Sequence, residues 1–303
     1  MKWLFFIVVL ICKDLQAQPT LIVLGTVQDA GSPQIGCTKD CCQQLFTRPD
    51  HSRKVVSLGL IDKENRSTYL LEASPDIAAQ LRLLKKYSNK PHDFPDGIFL
   101  SHAHIGHYTG LMYLGKEAAN AQRIAVYSMP RMKEYLSQNG PWSQLVSQQN
   151  IVLQTLTNEK TVRLNASLDV TPLQVPHRDE YSETVGYLIK GPDKSALFIP
   201  DIDKWEKWER NIDSLIATVD YAFIDATFFD AKEINNRDIK TIPHPFVIES
   251  MQRFAHLSLN DRRKIHFIHF NHTNPLLIKS SSAVKKVLAA GFRIASMGDV
   301  FKL

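Results

Sequence analysis

Three histidines fall within the stretch SHAHIGHYTGL, at His102, His104 and His107. Residues i and i+2 on extended backbone point to the same side, so His102 and His104 can share one ion. His107 follows at a helix entrance and can face the same cavity. Neutral imidazole is the commonest metal ligand and suits zinc, iron and related ions. One such histidine would read as a polar side chain satisfied in a turn. Three at this spacing, directly after the apolar run Gly97-Ile-Phe-Leu100, read as a metal site. Between Ile105 and His107 stands Gly106, which has no side chain to contribute.

A second group is Cys37, Cys41 and Cys42, spaced C-x3-C-C. Two readings stay open. One is a Cys37–Cys41 or Cys37–Cys42 disulfide with a free thiol, and the other is a metal site that needs a fourth ligand.

The elements that must position these residues follow from hydrophobic periodicity. Apolar or alternating runs predict strands at 21–24, 55–61, 68–71, 97–100, 124–127, 152–156, 162–164, 168–173, 186–190, 196–199, 221–224, 266–270, 293–295 and 300–301. Helical spacing predicts helices at 76–86, 109–121, 130–138, 203–219, 245–257 and 280–290. The order of elements repeats in two similar halves. That pattern implies two sheets packed face to face with helices outside, an α+β four-layer αβ/βα sandwich. No linker rich in Pro, Gly or Ser divides the chain, so residues 18–303 are expected to form one domain.

Composition is that of an ordinary globular chain: 303 residues, 44% apolar and 22% charged. There is no internal repeat or low-complexity run, which excludes solenoid and disordered readings. The first residues, MKWLFFIVVLICKDLQAQPT, join Lys2 to a ten-residue apolar run from Trp3 to Cys12 and a small residue at Ala17. This is the pattern of a cleavable signal peptide over residues 1–17, too short to span a bilayer with ease. The expected location is secreted or periplasmic, with no stable membrane insertion after cleavage. The formal net charge of +5 is modest. No basic run is interleaved with aromatics, so nucleic acid is not the expected partner, and a small, anionic molecule suits the surplus.

SHAHIGHYTGL resembles the HxHxDH motif of the metallo-β-lactamase superfamily, whose fold is the sandwich inferred above. Later segments resemble the rest of that family's pattern. LQVPHRDEYSETVGYLI carries His177 where the family has the third histidine of its first metal site. ALFIPDID carries Asp201 where the family has a metal-bridging carboxylate, and HFIHFNHTNP carries His269 where it has a second-site ligand. LGTVQDAGSPQIGCTKDCC, taken with IHFNHTNP, is similar to the branch containing pyrroloquinoline quinone biosynthesis protein B and the cyclic phosphodiesterase of phosphonate breakdown. The resemblance implies a structural zinc on Cys37, Cys41 and Cys42, with His272 as fourth ligand and His51 as the alternative. It also implies one or two ions, zinc with iron or manganese as alternatives, at the histidine site.

Gly106 departs from the motif, since the family's Asp at that place binds the second ion. Asp29, in the loop after the first strand, is one substitute, although its position before Gly31 favours a turn residue. The implied chemistry is hydrolysis of a small ester or phosphodiester. Asp201 would orient water and accept its proton, and His107 would ligate, donate a proton or hold an anion. The segment 225–246, with Phe228, Phe229 and Pro243-His244-Pro245, reads either as a lid with His244 near the mouth or as a plain surface loop. An oxidoreductase using iron and oxygen and a non-catalytic metal-binding protein are the rival classes.

Overall fold

The computed structural model describes residues 18–235 and 237–303. The expected leader lies outside the described residues. Among them, no helix is long and apolar enough to cross a membrane.

The strands are β1 (Thr20–Gly25), β2 (Ser57–Asp62), β3 (Ser67–Leu71), β4 (Gly97–Phe99), β5 (Ile124–Ser128), β6 (Ile151–Thr155), β7 (Val162–Arg163), β8 (Asp169–Gln174), β9 (Val185–Lys190), β10 (Ser195–Ile199), β11 (Tyr221–Asp225), β12 (Ile265–Ile268), β13 (Arg293–Ile294) and β14 (Val300–Lys302). They form two seven-stranded sheets, ordered β14-β1-β2-β3-β4-β5-β6 and β13-β12-β11-β10-β9-β8-β7. Each sheet is mixed in the same way. Antiparallel neighbours β14, β1, β2 and β3 pass into parallel β4, β5 and β6. Antiparallel β7, β8, β9 and β10 likewise pass into parallel β11, β12 and β13. The expected sandwich of two similar halves is present.

The period-2 pattern explains the layering. In β1, Leu21 and Val23 face the second sheet while Ile22 and Leu24 face outward. In β10, Ala196 and Phe198 face the first sheet while Leu197 and Ile199 face outward. The central layer is closed by Tyr69, Phe99, Val185, Tyr187, Phe198 and Phe223, all buried. Helix α2 (Ile77–Ser88) covers the first sheet with Ile77, Leu81 and Leu84, joined by α4 (Pro130–Gln138) and α5 (Trp142–Ser147). Helices α6 (Ile212–Thr218), α7 (Val247–Arg253) and α9 (Ser282–Ala289) cover the second. The remaining helices are α1 (Asp40–Thr47), α3 (Ile105–Tyr108) and α8 (Leu259–Lys264).

Two expected helices are shorter than their periodicity suggests. The helix expected at 109–121 is a 3-10 segment, Thr109–Leu114, following the single turn of α3. Gly110 sits so close to the Ser74 carbonyl that a Cβ would be 2.1 Å from it, which pins the chain to the preceding loop. The helix expected at 203–219 begins only at Ile212. Asn211 caps it by accepting from the Asp213 and Ser214 amides, and the upstream Trp205 and Trp208 turn into the core. Helices α1, α5 and α8 were not expected, being too short for a clear 3.6-residue signal.

Candidate metal centre

The histidine cluster sits where β4 ends. Tyr187, fully buried on β9, donates its hydroxyl to the Leu100 carbonyl and fixes the chain just before the motif. His102 Nε2 lies 2.8 Å from His104 Nδ1, so the two rings converge as i, i+2 spacing requires. His177, from the loop after β8, and Asp201, from the end of β10, complete a group with them in which one ligand atom from each lies within 4.8 Å of the others. Asp201 Oδ1 is 3.4 Å from His177 Nε2, and its Oδ2 is 3.5 Å from His102 Nε2.

A second group adjoins it. His107 Nε2 is 2.9 Å from Asp29 Oδ1, and His269 Nε2 is 3.8 Å from the same oxygen. Asp201 Oδ2 reaches toward both, at 3.8 Å from His107 Nε2 and 3.9 Å from His269 Nε2. One carboxylate therefore faces both ligand sets. His269 leaves β12 with φ of +69°, which turns its ring inward instead of continuing the strand. Asp29 is not merely a turn residue, as its place before Gly31 favoured, because its carboxylate lies in the site.

The other nitrogen of each ring faces a polar side chain, and only that of His177 makes no hydrogen bond. His102 Nδ1 is 2.9 Å from Ser101 Oγ, and His104 Nε2 is 3.3 Å from Glu180. His107 Nδ1 is 3.5 Å from Glu72, His177 Nδ1 is 3.5 Å from Asp203, and His269 Nδ1 is 3.0 Å from Thr227 Oγ1. Acceptors behind imidazoles that converge in front are the second shell of a metal site. The fit to an ion follows from the inward atoms. His107 Nε2, His177 Nε2, His269 Nε2, Asp29 Oδ1 and Asp201 Oδ1 are buried and lack a hydrogen-bond partner. Orphaned polar atoms are rare in native cores. Two of them lie in the first group and three in the second, and each set fits a cation.

Charge supports the same reading. Burial, with His107 alongside, holds His102 well below the ordinary imidazole value, and burial lowers His104. Both are therefore neutral and able to ligate. Burial would also depress His107, but Glu72 and Asp29 outweigh it and raise the group well above its usual range. Burial opposes ionisation of Asp201, yet His177, His244 and His269 hold it well below the usual carboxylate range. The buried carboxylates demand positive charge between them, supplied by protons or by a cation.

Sequence reasoning missed Glu72 and Asp225 entirely. Glu72 is fully buried, follows β3 with φ of +74°, and accepts from the Ser101 amide at 3.3 Å. Asp225 ends β11 and lies with Asp201 and His269 in a further metal-capable group. His244 is not on a plain surface loop. Its Nδ1 lies 2.9 Å from Asp225 and 3.1 Å from Asp201, and these carboxylates overcome burial to raise it to about 10. Neither Glu72 nor Asp225 had a sequence signal beyond its place at a strand end.

Cys37, Cys41, Cys42 and His272 form a separate group, with all three thiols free. His272 Nδ1 lies 3.3 Å from Cys42 Sγ and 3.5 Å from Cys41 Sγ. Burial and the neighbouring thiols push Cys41 up to about 12. His51, the alternative fourth ligand, is exposed and outside the group. Three sulfurs and one nitrogen suit tetrahedral zinc.

Residues 67–270 match the beta-lactamase superfamily domain. Coenzyme PQQ synthesis protein B of Methylorubrum extorquens (strain PA1) is 22% identical over 92% of this chain and 98% of its own length. The crystal structure of Zn(2+)-bound PqqB from Methylobacterium extorquens superposes with TM-score 0.76 at 23% identity, covering 94% of this chain and 100% of that one. A diphosphatase from the PhnP family superposes with TM-score 0.68 at 19% identity, covering 95% and 98%.

Proposed function

The chain belongs to the beta-lactamase superfamily, and from that premise we propose that it is a metal-dependent hydrolase of a small phosphodiester or ester. The observation that carries this reading is Asp201, whose Oδ2 faces His102 on one side and His107 and His269 on the other. A carboxylate shared between two ligand sets is suited to a two-ion centre. His102, His104, His177 and Asp201 would hold the first ion, and His107, His269 and Asp201 the second. Such ions, when bound, lower the pKa of a water and polarise a substrate oxygen.

The chain's own residues supply the rest. Asp201 orients the attacking water and takes its proton. Asp225 and Asp201 hold His244 beside the site, with its ring 5.4 Å from that of His177 and 6.4 Å from that of His269. An imidazole N–H there suits an anionic phosphoryl oxygen. His104, Asp29 and His244 keep 14%, 13% and 11% of their side chains exposed, so solvent and substrate reach the centre past them. The diphosphatase fold neighbour supports phosphoester chemistry by analogy of fold alone. The apolar leader at 1–17 supports export, and mature protein beginning at Gln18 would test it.

The test of function uses purified chain loaded with zinc or manganese. Its substrates are bis(p-nitrophenyl) phosphate, p-nitrophenyl esters and lactones, with His102→Ala as control. Metal-dependent turnover lost in His102→Ala supports the reading. No turnover after full loading defeats it, and oxygen uptake with ferrous iron would then favour the oxidative alternative on the same ligands.

A further inference from the structure

We propose that Asp29 is the second ion's carboxylate ligand, standing in from the loop after β1 for the side chain that Gly106 lacks. The inference rests on reading the histidine cluster as a two-ion centre, and three observations carry it.

The first is space. A Cβ built on Gly106 would lie 2.2 Å from Asp29 Oδ1, 2.6 Å from its Cα and 2.9 Å from its Cγ. Gly106 lies within α3, and its φ is not among the positive values of the chain, so its backbone would accept any residue. What requires glycine is the incoming aspartate. Gly106 is not a decayed ligand position but the gap through which a ligand from another loop reaches the ion.

The second is alignment. Asp29 Oδ1 and His107 Nε2 are 2.9 Å apart, yet both are buried without a hydrogen-bond partner, as is His269 Nε2. The ligand atoms of Asp29, His107 and His269 all lie within 4.8 Å of one another, the spacing of side chains grouped around one shared ion.

The third is rigidity. The Gln28 amide donates to the Phe270 carbonyl at 2.8 Å, and the Phe270 amide donates to the Thr26 carbonyl at 2.8 Å. Val27, fully buried, bridges both Val55 and Phe270. Asp29 is thereby fixed to the segment that carries His269, with the precision a ligand needs.

The test is metal content by mass spectrometry on untagged, zinc-loaded, desalted protein, with circular dichroism to verify folding. It compares wild type with Asp29→Asn, Gly106→Ala and His102→Ala. Asp29→Asn keeps the shape and removes the charge. Gly106→Ala keeps Asp29 and displaces it. Each of these two is expected to carry one ion fewer per chain than wild type while keeping the ion that His102→Ala loses. Wild-type metal content in both Asp29→Asn and Gly106→Ala overturns the assignment. Metal content and turnover fail separately. A chain that hydrolyses nothing yet loses an ion in Asp29→Asn defeats the hydrolase reading and leaves Asp29 as a ligand.

Discussion

Glu72→Gln isolates what a buried acceptor behind a ligand contributes. Glu72 is fully buried, and its Oε2 faces His107 Nδ1 at 3.5 Å while His107 Nε2 faces the ion position beside Asp29. The carboxylate fixes the ring's tautomer and makes the opposite nitrogen a stronger donor. Gln keeps the volume and a carbonyl for the Ser101 amide, so the fold should persist, but the charge is gone. Loss of such a partner typically costs ~10–100-fold in metal affinity, or about 1.4–2.7 kcal/mol. Ser101 Oγ, at 3.4 Å from the same nitrogen, offers a weaker acceptor and argues for the lower half of that range. The assay is competition with a chelator of known affinity, using cobalt so that ligand geometry is read from the visible spectrum. The second ion should be released at lower chelator concentration, and the first should be unmoved. An unchanged titration and an unchanged cobalt spectrum would refute the reasoning that Glu72 tunes His107.

Burial, with Arg293 nearby, lowers His266 to about 4 from its ordinary 6.5. The unfolded chain then takes up the proton first, so the native state is fully stable above about pH 6.5 and loses about 3 kcal/mol between there and pH 4. His266→Leu should flatten the urea midpoint across that window relative to wild type, and equal slopes would count against it. Tyr187→Phe strands the buried Leu100 carbonyl and should cost about 1–2 kcal/mol in urea unfolding, with metal content unchanged. Cys42→Ser should remove the ion of the cysteine group and lower the melting temperature. It should also weaken the second ion's hold, because Asp29 and Cys42 share one segment and His269 and His272 another. Full retention of the second ion in that variant would separate the two centres.

Much of this was legible in the residues. Alternating runs placed the strands, because each strand buries one face between the sheets and the other under helices. Closely spaced histidines at the end of β4 pointed to a metal-capable group, and the structure brings His102 and His104 together with His177 and Asp201. The parts that were not legible have a common cause. Glu72 and Asp225 reach the centre from separate strand ends, and nothing local distinguishes them from ordinary turn carboxylates, while Asp29 and His244 were candidates that a turn and a plain loop explained equally well. The break before α6 was hidden because Trp205 and Trp208 mimic helical spacing while packing as core residues. Gly106 read as a missing ligand because the sequence shows a side chain's absence but not what fills the space.

The cysteine group also ties the chain to itself. Cys42 and His272 meet across 230 residues, joining α1, which follows β1 of one sheet, to the loop that follows β12 of the other. An ion held there closes a loop spanning most of the protein. If it cross-links the unfolded chain as a disulfide of that span would, it withholds about 5 kcal/mol of disorder from the denatured state. The two sheets also meet through packed apolar side chains and, at this end, through the backbone bonds of Thr26 and Gln28 to Phe270. An ion in the clasp would brace the same end, where His107, Asp201 and His269 meet.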